Sequence, residues 1–460
     1  MTPGTEYQLP DTIADRYLDD AVSLTRRLIR NACVNTGDPA SGNEIVSVMT
    51  IQEYLGDTGT VVEPLPGRAS VVYRMRGTEP TAPRLLLIPH LDVVPAETAS
   101  WSRDPFAGDI VDGFIWGRGA VDMLNLTASM VAVFKSLLDG STPAPRGDVI
   151  LAAVADEEAG GIYGAQHLVE HHWDLVACDM VLTEVAGPSL TGPGGTALPV
   201  TVAEKGSAWR KVHAHGTSGH GSQPYARDNA VVNLARAFAD IATTPQPLLI
   251  TPEWSRFVQY LPVDEAILDD LRDPERIDQA IEQIAETDVT LARWVHACTH
   301  LTLSPTVIQG GGKANVVPSS ADGEIDIRIL PGQDANDLSD HLRKVLGPDR
   351  YDEIDFEVIF DIPANVSPPE GPLWDAIQAA AEIHTGLSTL APTLTPVMTD
   401  ARFFRALGIP AYGVGLFDDS VTFGEMLAMF HGADERVSVE SVRRTTAFLA
   451  TVIERLSEPR

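Results

Sequence analysis

Short apolar runs alternate with amphipathic segments of helical length over the first 185 residues of the chain. Apolar residues three and four positions apart indicate amphipathic helices, and short continuous apolar runs indicate buried strands. The predicted helices cover residues 12–35, 41–55, 126–138 and 164–171, and the predicted strands cover residues 70–75, 84–90, 148–155 and 180–184. Ser41 and Glu44 have the spacing of a capping box at the start of the second helix. Strands that alternate with helices in this way predict a mostly parallel sheet covered on both faces.

The pattern changes after residue 186 and returns to its first form near residue 372. Residues 187–199 are rich in Gly, Pro and Thr and predict a loop. The next predicted elements are strand pairs within 200–214 and 302–330, a helix over 229–243 and a long polar helical segment over 245–300. Together they predict a compact α+β unit. The last predicted elements are helices over 373–385 and 439–456 and a strand over 411–416.

These patterns predict an α/β fold, with a mostly parallel sheet flanked by helices and interrupted by an inserted α+β domain. A chain of 460 residues has room for two or three domains. The predicted boundaries place the first part of the larger domain at residues 1–205, the inserted domain at 206–330 and the second part of the larger domain at 331–460.

The chain is strongly acidic, with 33 Lys and Arg against 64 Asp and Glu and a formal net charge of −31. Nucleic-acid binding and docking on anionic lipid both require basic surfaces, so the composition argues against both classes. Residues 1–20 lack the basic and apolar order of a secretory signal, and the apolar runs are too short to span a membrane. The three cysteines are widely spaced, which argues against a disulfide framework and predicts a cytoplasmic location.

Acidic residues and a histidine follow three of the predicted strands. The first of these strands leads into His90 and Asp92, the second into Glu157 and Glu158, and the third into Glu184. Because ligands of an open parallel sheet bind beyond the carboxyl ends of its strands, we expect these side chains to line one pocket. Like charges packed together need a compensating cation, and a metal ion supplies one.

The residue types narrow the choice of metal. Histidine and carboxylate without thiolate suit zinc, and also manganese or cobalt. Several carboxylates with few histidines suit a two-metal site in which one carboxylate bridges the ions. Other catalytic templates are absent from the sequence: Gly310 to Lys313 lacks the first glycine and the Ser/Thr of a phosphate loop, and there is no G-x-S-x-G or H-E-x-x-H motif.

Seven segments resemble the blocks of the M20 metallopeptidases, in that family's order. They are residues 89–95, 101–106, 116–123, 155–161, 218–222, 310–318 and 430–435. The family includes glutamate carboxypeptidases, acetylornithine deacetylases, succinyl-diaminopimelate desuccinylases, aminoacylases and carnosine-type dipeptidases. The resemblance runs from about residue 15 to the C-terminus. It implies a sheet of the zinc-exopeptidase type and an inserted domain that forms a homodimer.

The resemblance also implies a role for each matched residue. Two divalent ions, zinc above all, would be bound, with Asp122 bridging them. The ligands of one ion would be His90, Asp122 and Glu184, and those of the other would be Asp122, Glu158 and His431. Asp92 would orient the His90 imidazole, which fixes its tautomer. Glu157 would be the general base that takes a proton from the attacking water.

Four further residues match positions outside the ligand set. His220, in the inserted domain, would stabilise the oxyanion in the active site of the other subunit. Asn315 and Arg328 match positions that contact the substrate carboxylate, and Arg402 is a further candidate for that contact. The chain departs from the family at Leu124-Asn125, where Lys and Gly are usual, and in the longer segment 245–300, which could carry dimer contacts or a lid.

The implied function is hydrolysis of an amide bond in a dipeptide, a C-terminal peptide residue or an N-acyl amino acid. The alternative within the same class is a biosynthetic desuccinylase or deacetylase. A different class is a metal-binding protein that has lost catalysis. The presence of Glu157 and of every predicted ligand favours an enzyme.

Overall fold

The computed structural model describes residues 13–185 and 187–458. The helices in these ranges are α1 (Asp15–Asn31), α2 (Ile45–Leu55), α3 (Leu124–Leu138), α4 (Ala165–His171), α5 (Trp173–Val176), α6 (Ala230–Thr243), α7 (Pro252–Phe257), α8 (Glu265–Asp270), α9 (Ile277–Ala285), α10 (Val289–Thr299), α11 (Ala335–Leu346), α12 (Pro348–Asp352), α13 (Pro372–Thr385), α14 (Ala401–Arg405), α15 (Phe423–Met429) and α16 (Val439–Ser457). The prediction that the chain has no secretory signal rests mainly on residues 1–12, which lie outside the described ranges.

The strands of the same ranges form one large sheet and several small ones. They are β1 (Thr60–Leu65), β2 (Arg68–Met75), β3 (Leu85–Leu87), β4 (Asp109–Val111), β5 (Phe114–Trp116), β6 (Val149–Ala153), β7 (Met180–Thr183), β8 (Leu190–Gly192), β9 (Gly195–Glu204), β10 (Gly206–Ser207), β11 (Arg210–His215), β12 (Gly219–His220), β13 (Thr302–Gly310), β14 (Val316–Val317), β15 (Ser320–Ile329), β16 (Ile354–Val358), β17 (Asn365–Val366), β18 (Leu390–Thr395), β19 (Ala411–Gly413) and β20 (Arg436–Ser438).

The large sheet has the order β1-β2-β6-β3-β7-β19-β9-β17, and β8 and β18 also pair with β9. Its central strands β6, β3, β7 and β19 are parallel. Alternate residues of β3 face opposite layers: Leu85 and Leu87 belong to the core with α1, α3, α13 and α16, whereas Leu86 belongs to the core with α4 and α14. The predicted α/β fold with a mainly parallel sheet and helices on both faces is therefore confirmed.

The smaller sheet is antiparallel and contains β10, β13, β15, β11 and β16, with α6 and α11 packed on one face. Its edge strand β16 pairs with β11 from Arg210 to Ala214. The predicted boundary at residue 330 is therefore too early, because α11 and β16 belong to this unit. The sequence signal was weak there, since β16 is buried at Ile354 and mostly exposed afterwards.

Segment 245–300 leaves the smaller unit and packs on the larger one. Trp254, Leu271 and Leu291, in or next to its helices α7, α8 and α10, belong to the core of the large sheet. The apolar faces of these short helices account for this placement, because they bury their side chains against β9 and β18 rather than against the smaller sheet.

Two local predictions were wrong. The Gly- and Pro-rich residues 187–199 form a hairpin, in which β8 pairs with β9 across a turn at Pro193-Gly194. The capping box is not formed, because the Glu44 carboxylate accepts hydrogen bonds from the buried guanidinium of Arg68 instead. Among residues 13–185 and 187–458, every helix is too short or too polar to cross a bilayer.

Candidate active site

The carboxyl ends of three adjacent parallel strands bring the predicted residues together. The chain reaches His90 after β3, Glu158 after β6 and Glu184 after β7. Nε2 of His90 lies 3.6 Å from a carboxylate oxygen of Glu184. The juxtaposition follows from the sheet, since adjacent parallel strands end at the same edge.

Asp122 lies between two imidazole rings. Its Oδ1 is 3.3 Å from Nε2 of His90, and its Oδ2 is 3.3 Å from Nε2 of His431. The His431 Nε2 atom also lies 3.2 Å from Glu158. Each carboxylate oxygen of Asp122 thus faces a different histidine, and each histidine faces a second carboxylate.

This cluster has the donor set of a metal centre. Ligand atoms of His90, Asp122 and Glu158 lie within 4.8 Å of one another, as do those of His90, Glu157 and Glu184. Oε1 of Glu158 is buried without a hydrogen-bond partner in the described structure. A buried carboxylate oxygen without a donor is costly, and a divalent cation would satisfy it. The residues therefore fit the implied ions.

The electrostatics of the cluster lead to the same conclusion. Burial, with the charge of Asp122, raises the pKa of Glu184 to about 8, although His90 opposes the shift. Burial and the charge of Glu184 raise the pKa of Glu157 well above its usual value. Hydrogen bonds to Asp122 and Glu158 raise the pKa of His431 to about 10. Carboxyl groups that resist ionisation in one another's presence are stabilised as carboxylates by a bound cation.

Asp92 contacts the cluster differently from the prediction. Nδ1 of His90 lies 2.9 Å from the main-chain carbonyl oxygen of Asp92 and 3.6 Å from its carboxylate. The carboxylate instead accepts the backbone N–H groups of Glu157 and Glu158, at 3.2 and 3.1 Å, and a hydrogen bond from Asn35 at 2.9 Å. Asp92 therefore fixes the turn that carries both glutamates.

A buried ion pair supports Asp122 from the other end of the chain. Glu435 accepts backbone N–H groups of Gly119, Val121 and Asp122 and pairs with Arg118 at 2.8 Å. Sequence reasoning assigned no role to Glu435 or Arg118, although both lie in the matched blocks. Their opposite charges within two blocks that also carry predicted metal ligands were the available signal.

A second buried network supports the Glu157–Glu158 turn. Arg68 donates to Glu44 at 2.9 Å and to Asp156 at 2.6 Å, and all three side chains are almost fully buried. Asp156 has a left-handed backbone conformation, with φ of 72°. The network holds this unfavourable conformation directly before Glu157. These residues were missed because they are far apart in sequence.

A cavity of about 550 Å³ opens beside the cluster. Glu157, Glu158 and His431 line one side, and Trp209 and Phe360 approach from the smaller unit. Arg328 also lines the cavity, where it forms an ion pair with Asp326 at 2.7 Å.

Arg402 lies in the wall of the same cavity but is almost fully buried. Its guanidinium donates to the carbonyl oxygens of Thr399 at 2.6 Å and Gly160 at 2.7 Å. The structure therefore gives Arg402 a structural contact that joins α14 to the loop after Glu158.

His220 and Asn315 lie together, and neither of them lines this cavity. β12 pairs with β14, and the carbonyl of Asn315 accepts the backbone N–H of Gly221 at 2.8 Å. The exposed His220 ring accepts a hydrogen bond from Ser222 at 2.8 Å. Among the described residues that line the cavity, none comes from this ribbon.

A mainly parallel α/β sheet with a histidine and carboxylate cluster at its edge fits the class of metal-dependent hydrolases. The family model of peptidase family M20/M25/M40 matches residues 86–455. The chain belongs to this family. It is an enzyme that hydrolyses small peptide or N-acyl amino acid substrates, as the resemblance predicted.

Curated relatives include a succinyl-diaminopimelate desuccinylase of Rhodospirillum centenum, which is 29% identical over 96% of this chain and 99% of its own length. Aminoacylase-1B of Rattus norvegicus is 27% identical over 85% of this chain and 86% of its own. Among solved structures, the M20 family metallo-carboxypeptidase Sso-CP2 from Sulfolobus solfataricus has a TM-score of 0.70 and 18% identity, over 95% of this chain and 99% of its own. The structural similarity supports the fold.

Proposed function

We propose that the protein uses two divalent metal ions to hydrolyse the amide bond of a small N-acyl amino acid or peptide. The observation that carries the proposal is the position of Asp122 between His90 and His431. A carboxylate that faces two imidazoles through its two oxygens is arranged to bridge two ions.

Five side chains would hold the ions. His90, Asp122 and Glu184 form one set, and Asp122, Glu158 and His431 form the other. The donors are nitrogen and oxygen only, which suits zinc best and also accepts manganese or cobalt. When bound, two such ions polarise the scissile carbonyl and make the attacking water more acidic.

Glu157 is the proton-transfer residue of the proposal. It lines the cavity and directly precedes Glu158, so its carboxylate is positioned beside the place where the amide carbonyl must lie. It accepts the proton of the attacking water and passes it to the leaving amine.

The substrate carboxylate is assigned to Arg328, which lines the same cavity as Glu157. Its Nε and Nη2 atoms donate to Asp326 at 2.7 and 3.1 Å, so Nη1 is the nitrogen assigned to the substrate carboxylate. The guanidinium lies 5.3 Å from the centre of the Trp209 ring. Arg402 is a positioning residue, because its guanidinium is engaged with two main-chain carbonyls.

Desuccinylation or deacetylation is the second candidate activity, and similarity to the Rhodospirillum centenum enzyme over almost the whole of both chains favours it. An amine-release screen with metal-loaded protein separates the candidates. The substrates are dipeptides and N-acetyl, N-succinyl and long-chain N-acyl amino acids.

The proposal includes a homodimer in the cytoplasm. The edges of the smaller sheet favour pairing with a second copy, because an exposed strand edge is usually covered. The three cysteines are buried and form no disulfide, which suits a reducing compartment.

The test compares two adjacent, nearly isosteric substitutions. Glu157→Gln is expected to lower kcat by about 1,000-fold or more, because the variant loses both the general base and the positioning of the attacking water. About two metal ions are expected to remain bound per chain. Glu158→Gln is expected to lower metal content, because a ligand loses its charge. Elemental analysis and amine release are measured on the same samples. Wild-type turnover by Glu157→Gln, or one ion or none in active enzyme, would contradict the proposal.

A further inference from the structure

A second cavity, of about 510 Å³, shares a wall residue with the cavity beside Glu157. Its walls come from α10, α15, β18 and the residues next to them. Val185 directly follows Glu184, Phe430 directly precedes His431, and Val397 lines both this cavity and the one beside Glu157. A group attached to a carbonyl at the metal cluster is therefore within reach of the second cavity.

The wall of this cavity is apolar and rigid. Trp294 is 9% exposed and packs edge-on against Phe423 and Phe257, with ring centres 5.3 Å apart in each pair. Leu394 and Met426, also buried, continue the wall. Edge-to-face aromatic packing fixes the ring positions, so the cavity is formed before a ligand enters.

Charge is scarce on this wall. Within the described part of the chain, Arg293 is the one charged residue that lines the cavity, and its side chain is exposed at the rim. The other polar groups on the wall are threonine hydroxyls, such as those of Thr393 and Thr395. Burying an ammonium or a carboxylate in such surroundings is costly.

We propose that this cavity binds the hydrocarbon chain of the acyl group, so that the substrate is an N-acyl amino acid with a medium-length or longer apolar acyl chain. The inference rests on the proposed amide hydrolysis. In all candidate substrates the leaving amine carries a carboxylate, which belongs beside Arg328. The acyl side then enters the apolar cavity. A dipeptide would place an ammonium there and a succinyl group would place a carboxylate there, whereas an alkyl chain places only methylene groups.

The first test is a chain-length series on the unmodified, metal-loaded enzyme. N-acetyl-, N-butanoyl-, N-octanoyl- and N-succinyl-L-alanine and a dipeptide ending in alanine are compared by amine release. Each buried methylene is expected to raise kcat/KM about threefold to fourfold until the cavity is filled. The N-octanoyl compound carries six more methylenes than the N-acetyl compound and is expected to exceed it by on the order of 1,000-fold. A flat or falling series, or preference for the succinyl compound or the dipeptide, would overturn the proposal.

The second test narrows the cavity from α10. Thr290 lines the cavity, whereas its neighbour Val289 is 50% exposed and does not line it. Thr290→Phe is expected to lower kcat/KM for the N-octanoyl substrate at least tenfold and to leave the N-acetyl substrate within twofold. Val289→Phe, which adds a phenyl ring one position away, is the matched control and is expected to change neither. Equal losses on both substrates would contradict an acyl site.

Failure of this inference is distinguishable from failure of the proposed function. If amides are cleaved without dependence on chain length, only the acyl site is wrong. If no amide is cleaved, the proposed function is wrong, and octanoate binding measured by calorimetry still tests the cavity. Octanoate is expected to bind wild type and Val289→Phe at least tenfold more tightly than Thr290→Phe. Equal affinity for all three proteins, or no binding to any, would overturn the proposed site.

Discussion

The Asp92 carboxylate accepts two backbone N–H groups and one side-chain amide, and these contacts explain how a short turn can hold two adjacent glutamates in different roles. Glu158 points toward His431 and Asp122, and Glu157 lines the cavity. The turn is a single 3₁₀ turn, Glu157–Ala159. Its geometry depends on hydrogen bonds from buried residues of other segments.

Asp92→Asn is expected to lower kcat or metal affinity by about 10- to 100-fold, the range for residues that support a metal ligand. Each carboxylate oxygen of Asp92 now accepts one backbone N–H group. In the carboxamide an N–H₂ group replaces one of these oxygens, and that hydrogen bond is lost. Amine release and metal content are the measurements. Asp179→Asn, at an exposed ion pair with Arg84, is the control and is expected to retain full activity. Wild-type amine release and metal content in Asp92→Asn would show that the turn does not need the Asp92 carboxylate.

At the scale of elements, buried polar side chains join parts of the chain that are distant in sequence. The segment before β20 holds the loop before α3 through Glu435, and β2 holds the loop after β6 through Arg68. Lys205, at the end of β9, donates to carbonyl oxygens of Ala297 and His300 at 3.0 and 2.7 Å. These contacts attach the ligand-bearing loops and segment 245–300 to the large sheet.

Glu435→Gln is expected to destabilise the protein by about 3–5 kcal/mol, because it leaves the buried Arg118 guanidinium without its counter-charge. It is also expected to lower metal content, since Glu435 holds the backbone of Asp122. Denaturant unfolding and elemental analysis check both effects. The control is Glu440→Gln, which breaks a partly exposed i,i+4 pair with Arg444 and is expected to cost less than about 1 kcal/mol. A loss no larger than that of the control would contradict the assignment.

Lys205 gives the stability a pH dependence. Burial lowers the pKa of Lys205 from 10.5 to about 7. Between these values the unfolded chain binds a proton that the folded chain does not, so the contribution of Lys205 to the free energy of unfolding rises as pH rises from 7 to 10.5. Lys205→Met is expected to lose that rise, which unfolding at pH 7 and pH 9.5 would show. Lys344→Met, at an exposed position, is expected to keep the wild-type rise. Equal slopes for all three proteins would contradict a buried, neutral Lys205.

At the scale of the whole molecule, the smaller unit completes the cavity with Trp209, Arg328 and Phe360. The β12–β14 ribbon of the same unit carries His220, which is exposed and does not line the cavity of its own chain. Tyr225, in the loop that follows His220, is 95% exposed. An exposed histidine and an exposed tyrosine on one loop fit a contribution to a neighbouring subunit, as the family resemblance implies for His220.

Mixing His220→Ala chains with Glu157→Gln chains tests that arrangement. Each variant alone is expected to lose on the order of 10²-fold or more in rate. If His220 acts in the partner's active site, a heterodimer contains one site with both groups intact, and activity returns to a substantial fraction of wild type. Size-exclusion chromatography with two differently tagged chains confirms the heterodimer. Confirmed heterodimers without recovered activity would exclude action across the dimer, and full activity of His220→Ala alone would exclude a catalytic role.

The sequence by itself determined the sheet edge and the chemistry that gathers there. Apolar runs such as residues 149–153 are of strand length and too short for a typical helix, so they indicate buried strands, and the polar residues that directly follow them lie at the ends of those strands. The positions of His90, Glu158 and Glu184 were therefore predictable from local pattern. Their pairing with Asp122 and His431 came from family resemblance, because nothing local in the sequence brings those residues together.

Only the tertiary structure decided the contacts that depend on distant segments. The support of Asp122 by Glu435 spans more than 300 residues of sequence and has no periodic signal. The position of segment 245–300 also depends on distant residues. Its apolar faces could pack on either unit, and the contact of Trp294 with Phe423 places them on the larger one. Strand and helix patterns follow from the burial of one face, which neighbouring residues encode. The partner of a buried charge, and the shape of a cavity, follow from which surfaces meet when the whole chain is packed.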